Sequence, residues 1–196
     1  SHVLTNLGGC NYLIGDGTGY ANIENEYFAL ESCEYKRHFL SYIPYYSVIL
    51  NIDLDHVDYF KDLNDVIDAY TEFANSTTKM IIANGDDENC LKLKEYTKAS
   101  FISYGIENED SNFVAKNIIF DEDGFAKFDV YKNKEFFVDI KLSVPGKHNI
   151  LNALATIAMS DYYEINKECI KISMAEFTGA SRRMEYKGKV NGAKIY

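Results

Sequence analysis

An α/β fold, a mainly parallel sheet flanked by helices with an antiparallel β-meander appended to it, is the architecture this sequence predicts. Three observations lead there. Short apolar runs alternate with stretches of helical periodicity up to about residue 104, the signature of a sheet covered by helices. From Phe113 to Leu142 the apolar period drops to two, which marks extended strands. Only two prolines interrupt 196 residues, and neither a repeat nor a low-complexity tract divides them, so one compact unit is expected.

Composition narrows the function classes. With 46% hydrophobic and 14% aromatic residues the chain can build a sizeable core. Thirty acidic against 20 basic residues give a net charge of −10 and a pI near 4.9, the wrong sign for neutralising phosphates along a duplex, so nucleic acid is excluded as a partner. Apolar runs such as Val48-Ile49-Leu50 fall far short of the roughly 20 residues a membrane span requires. Cys10, Cys33, Cys90 and Cys169 form no Cys-x-x-Cys pair, which fits reduced thiols in a cytoplasm better than a zinc knuckle or a disulfide framework.

Taken in order, residues 1–7 read as the tail of a helix stopped at Gly8-Gly9. Tyr27 to Glu31 and Ser47 to Ile52 are short apolar runs suited to buried strands. Asp62 to Ser76 follows as a helix, because Val66, Ile67, Tyr70, Phe73 and Ala74 share one face. Met80 to Ala83, Asp86 to Tyr96 and Phe101 to Tyr104 continue as strand, helix and strand. In the meander, Phe136, Val138, Ile140 and Leu142 lie opposite Asp139 and Lys141, with turns at Asp123-Gly124 and Asn133-Lys134. A long helix starts near Lys147 with Ile150, Leu151, Leu154, Ile157 and Ala158 on its buried face, a shorter helix covers Lys167 to Glu176, and residues 188–196 suggest a hairpin or a strand that enters a further element.

Several segments carry candidate chemistry. Gly15-Asp16-Gly17-Thr18-Gly19 fits no phosphate-loop pattern and reads as a surface loop needing positive φ angles. Glu31 ends a strand, where a carboxylate is either solvated or aimed at a cation. Asp53-Leu54-Asp55-His56-Val57-Asp58 leaves the carboxyl end of another strand, the place where open α/β sheets put ligands. One imidazole among three carboxylates suits Mg²⁺ or Mn²⁺, and the aspartates serve equally well as caps for the next helix. Glu34, Lys36, Arg37 and His38 read as a charged surface turn. His148, Asn149 and Asn152 sit within one turn at the start of the long helix, and two amides with an imidazole on one edge suggest hydrogen bonds to a polar ligand such as a nucleotide. Arg182 and Arg183, beyond a helix end, are equally suited to capping carbonyls and to gripping phosphate.

Together, Leu30-Glu31-Ser32-Cys33-Glu34, Asn51-Ile52-Asp53-Leu54-Asp55-His56-Val57-Asp58, Gly146-Lys147-His148-Asn149-Ile150-Leu151-Asn152-Ala153 and Phe177-Thr178-Gly179-Ala180-Ser181-Arg182-Arg183-Met184-Glu185 resemble the central ATPase domain of the Mur ligases, in that family's order and spacing. The resemblance implies that residues 1–196 are most of an ATP-binding central domain, truncated at both ends, with the phosphate loop and the amino- and carboxy-terminal domains lying outside it. It implies an ATP- and Mg²⁺-dependent ligase of peptidoglycan precursor synthesis, of the branch that joins L-alanine to UDP-N-acetylmuramate. A tripeptide-recycling ligase and a non-catalytic nucleotide-binding module are the alternatives. By the same resemblance Glu31 and His56 match metal ligands, with His56 also near the reacting groups; His148, Asn149 and Asn152 match nucleotide contacts; and Arg183 matches the arginine that reaches the ATP phosphates. A carbamylated lysine found in several relatives has Tyr70 in its register here.

Overall fold

The computed structural model describes residues 2–5, 9–15, 17–179, 188–190 and 193–195. The chain opens with a short helix, α1 (His2–Thr5), and three strands, β1 (Cys10–Leu13), β2 (Gly19–Tyr20) and β3 (Tyr27–Leu30), that form a small sheet in the order β2-β1-β3. Here β1 runs antiparallel to β2 and parallel to β3. The main sheet contains β4 (Tyr46–Ile49), β5 (Met80–Asn84), β6 (Ser100–Gly105), β7 (Phe113–Phe120), β8 (Phe125–Lys132) and β9 (Glu135–Pro145), side by side in chain order. Pairing is parallel from β4 to β7 and antiparallel from β7 to β9, as the change of period predicts.

Helices cover both faces. All five residues of β5 are buried. Met80 and Ile82 enter one apolar layer with Tyr104, Phe113, Phe128 and Ile140, beneath α4 (Lys147–Tyr162) and α5 (Lys167–Glu176). Ile81 and Ala83 enter the opposite layer with Ile49, Phe39 and the Val66, Ala69 and Phe73 face of α2 (Leu63–Ser76). Asp62 is the N-cap of α2, its side chain accepting from the Asp65 N–H at 3.0 Å. The segment read as one helix from Asp86 to Tyr96 is instead α3 (Glu88–Lys92) followed by a 3-10 turn, Leu93–Glu95.

The meander corrects one assignment. A register shift between Val130 and Tyr131 pairs Val130 with Val138 but Tyr131 with Phe136. A bulge reverses side-chain parity, so Phe136 stands 57% exposed against Tyr131 while Phe137 turns inward and meets Phe113 edge-on at 6.0 Å. The Asn133-Lys134 turn has φ of 50° and 73°, the doubly positive geometry of a tight two-residue hairpin. Strands β10 (Gly188–Val190) and β11 (Ala193–Ile195) pair antiparallel, as the hairpin reading expects.

Core and surface positions should separate on substitution. Ile82→Ala removes a fully buried side chain and should cost about 2–5 kcal/mol, whereas Ile172→Ala, at a position 55% exposed, should cost under about 0.5 kcal/mol. Denaturant midpoints measure both, and equal losses would contradict the two-layer core.

Candidate active site

Parallel pairing of β1 with β3 puts the carboxyl ends of both strands at one edge, where open α/β sheets bind ligands. The Glu31 N–H donates to Leu13 O at 2.9 Å and continues the ladder past the end of β3. At that edge the Gly15 N–H donates to Glu31 Oε2 at 2.8 Å. Gly15 and Gly17 lie between β1 and β2, with Gly17 at φ 89°, as a surface-loop reading requires. The Gly15 N–H also fixes the orientation of the Glu31 carboxylate.

The loop after β4 is held at both ends by apolar anchors, Ile52 and Phe60, each almost fully buried in the α2 layer. Asp87 secures it from below: one carboxylate oxygen accepts from the Ile52 N–H at 2.8 Å while the other accepts from the Asn89 and Cys90 N–H groups as the N-cap of α3. Between the anchors the three aspartates maintain the loop itself. Asp53 accepts from the Leu54 N–H, Asp55 from the His56 N–H, and Asp58 from the Tyr35 hydroxyl at 2.7 Å. Capping of the next helix falls to Asp62 instead. His56 is thereby held at φ 51°, a conformation that few non-glycine residues adopt.

The imidazole meets the segment that follows Glu31. His56 Nε2 lies 3.6 Å from Glu34 Oε1 and 3.9 Å from Cys33 Sγ, and the Tyr35 ring packs against the imidazole at 4.7 Å between centroids. The supposed surface turn is thus half structural. Lys36 and Arg37, at φ 52° and 57°, turn the chain into a 3-10 segment, Tyr35–Ser41, that buries Phe39. Arg37 reaches Asp65 at 2.7 Å. The Lys61 N–H first, and then Arg37, hold the Asp65 carboxyl below the usual range. Tyr70 lies beneath this corner against Phe39, and burial raises its phenol pKa, with the Glu34 charge adding to it. Glu34 and Cys33 were missed as partners of His56 because neither sequence distance nor period links two loops that only tertiary pairing brings together.

The opening of α4 forms a second region. Asn149 and Asn152 share the expected edge: the Asn149 amide donates to Pro145 O at 2.7 Å and the Asn152 amide to Asn149 Oδ1 at 3.2 Å. Both line a cleft of about 200 Å³ with His2, Thr156 and Phe177. His2 Nε2 is buried there without a hydrogen-bond partner among the described residues, and a polar ligand would supply one. His148 is separate from this cleft: it is exposed, and its ring folds back beside Gly146, whose φ of 99° and close approach to the ring favour glycine. Sequence patterning gave no signal for His2, which sits on a four-residue helix. Arg183 lies outside the described residues.

The sequence and the fold have counterparts among known proteins. The sequence profile of the Mur ligase middle domain matches residues 19–160. The chain belongs to the Mur ligase family. It is 41% identical over 194 residues to a UDP-N-acetylmuramate--L-alanine ligase of Clostridium beijerinckii, covering 98% of this chain and 40% of that protein. It is 44% identical over 174 residues to the enzyme of the same name from Clostridium acetobutylicum, covering 88% and 38%. The chain therefore spans about two-fifths of the length of these relatives. Among solved structures, MurF from Acinetobacter baumannii superposes with a TM-score of 0.81 at 18% identity, over 97% of this chain and 45% of that one. The UDP-N-acetylmuramate-alanine ligase MurC from Thermotoga maritima superposes with a TM-score of 0.78 at 24% identity, over 97% and 44%. At these identities the structures share the fold.

The Tyr35–Asp58 bond has a measurable consequence. It raises the pKa of the Tyr35 phenol and, as the largest cause, lowers that of the Asp58 carboxyl. A depressed folded-state pKa contributes stability above the ordinary aspartate range and loses it as pH falls through the folded value. In Tyr35→Phe the Asp58 carboxyl should titrate nearer its ordinary value, as followed by carbon-detected NMR. An unchanged titration would show that the bond is not kept in solution.

Proposed function

We propose that this chain is the ATP-binding middle domain of a ligase that joins L-alanine to the lactyl carboxylate of UDP-N-acetylmuramate, in the cytoplasmic synthesis of peptidoglycan precursors. The observation that carries the reading is the 41–44% identity, over 88–98% of the chain, to Clostridium enzymes of that name. No helix among the described residues is long and apolar enough to cross a membrane, in keeping with nucleotide substrates met in water.

In this reading the γ-phosphoryl of ATP passes to the lactyl carboxylate, giving an acyl phosphate and ADP. The alanine amine then attacks the acyl carbon, phosphate leaves and an amide remains. The protein's contribution to such a transfer is positioning and charge compensation rather than covalent chemistry. The donors suit two divalent cations: the strand-end carboxylate of Glu31, held by a backbone N–H, for one, and the His56 imidazole, on a rigid loop, for the second, with phosphate oxygens and water completing each shell. Glu31 and His56 would hold Mg²⁺, which neutralises charge on the transferring phosphoryl group. The Asn149–Asn152 edge and His2, facing one cleft, would receive the nucleotide. Exposed His148 and the Arg182-Arg183 pair are the remaining candidates for nucleotide contact, with Arg183 directed to the phosphates.

Two tests follow from these assignments, both in the full-length enzyme. Glu31→Ala and His56→Ala should each lower alanine-dependent phosphate release by at least two orders of magnitude, the scale of losing preorganised charge stabilisation, with an unchanged circular dichroism spectrum. Near-normal turnover at saturating Mg²⁺, or release that responds to a tripeptide and not to L-alanine, would overturn the reading. Asn152→Ala should weaken ATP interaction by about 1–3 kcal/mol and change stability less. A lowered melting temperature with an unchanged KM for ATP would instead make this amide a packing element of α4.

A further inference from the structure

The pairing of His56 with Cys33 has no place in the reaction just described. Mg²⁺ prefers hard oxygen ligands and tolerates a single imidazole among them, but a soft sulfur ligand beside that imidazole is foreign to it. Yet Cys33 Sγ, a Glu34 carboxylate oxygen and a His56 ring nitrogen all lie within 4.8 Å of one another, the only such group of three among the described residues. We propose that these three side chains form a binding site for a zinc-class divalent cation, distinct in ligand chemistry from the Mg²⁺ positions.

The geometry agrees with a tetrahedral centre. Zinc bonds of about 2.3 Å to sulfur and 2.0–2.2 Å to nitrogen or oxygen place neighbouring ligand atoms roughly 3.3–3.6 Å apart. Two edges are nearly formed, at 3.6 Å from His56 Nε2 to Glu34 Oε1 and 3.9 Å from His56 Nε2 to Cys33 Sγ. The third edge, between Cys33 Sγ and a Glu34 carboxylate oxygen, is within 4.8 Å. Three protein ligands of mixed sulfur, nitrogen and oxygen character leave a fourth position for water.

Neighbouring groups prepare two of the ligands. The Tyr35 N–H donates to Cys33 Sγ at 3.4 Å, which fixes the position of the sulfur. The Tyr35 ring packs on the imidazole and its hydroxyl is tied to Asp58, so the residue that follows Glu34 also fixes the orientation of His56. The backbone of His56, at φ 51° between the Ile52 and Phe60 anchors, needs no rearrangement to present Nε2. Cys33 is exposed and the side chains of His56 and Glu34 are 31% and 23% exposed, so a hydrated ion can enter. Bound there, the cation occupies Nε2 of His56. Its consequence for ligation rests on the role given to His56 above, whereas the site itself does not.

Cobalt(II) reports on the site directly, without nucleotide or turnover. Titrated into the full chain in excess Mg²⁺, Co²⁺ should produce a near-ultraviolet thiolate-to-cobalt band that Zn²⁺ displaces. Cys33→Ser should abolish the band with an unchanged circular dichroism spectrum, Cys169→Ser, at the other exposed thiol, should keep it, and Glu34→Gln should weaken Co²⁺ binding by at least roughly tenfold. A second measurement needs no variant: Zn²⁺ should slow iodoacetamide alkylation of Cys33 at least roughly tenfold and leave Cys169 unaffected. Absence of the band in the unsubstituted protein, its persistence in Cys33→Ser, or alkylation of Cys33 at the same rate with and without Zn²⁺ would overturn the proposal. None of these readouts depends on ligase activity, so their failure and the failure of the ligase reading are distinguishable.

Discussion

Burial of β5 on both faces constrains everything around it. Met80 and Ile82 point into one apolar layer and Ile81 and Ala83 into the other, so both layers must be roofed by helices and neither face can be left to solvent. The parallel pairing of β4, β5 and β6 follows, because the chain must cross over through α2 and α3 between those strands. All their carboxyl ends then open on the same edge of the sheet. The loop bearing His56 emerges at that edge, and its anchors Ile52 and Phe60 belong to the same apolar layer that covers β5.

Rigidity at the candidate site comes from polar groups used twice. Asp87 caps α3 with one oxygen and secures the Ile52 backbone with the other, so the loop and the helix are fixed relative to each other by one buried-edge carboxylate. Asp65 receives the Lys61 N–H and the Arg37 guanidinium at once, which joins the Tyr35–Ser41 segment to the start of α2. These links bring the strand-end segment from Glu31 to Tyr35 and the His56 loop into register. The acidic character of the corner is therefore partly neutralised by internal hydrogen bonds, and fewer carboxylates remain to meet a cation than the run of aspartates suggests.

The cleft beside α4 obeys a different logic. Its floor is apolar, Val3, Leu142, Val144 and Met174, and its polar rim is Asn149, Asn152, Thr156 and His2. That division suits a flat heteroaromatic group that needs stacking surface on one side and a few hydrogen bonds at its edge. His2 Nε2, buried without a partner among the described residues, is costly to leave dry, and the same cost favours a ligand that satisfies it.

Periodicity made most elements legible. The boundaries of α5 and the extent of α2 match the patterns that predict them, because side-chain spacing is a local property of the chain. Glu31 and His56 were legible as strand-end residues for the same reason, and Asn149 with Asn152 as one helical edge. Parity in β9 was misread at Phe136 because a bulge depends on the partner strand, which local alternation cannot report. The union of Cys33, Glu34 and His56, and the entry of His2 into the α4 cleft, were decided by tertiary structure alone. Local sequence determines which face a side chain takes, but which faces meet depends on long-range pairing of strands and layers, and that pairing brings these side chains within reach of one another.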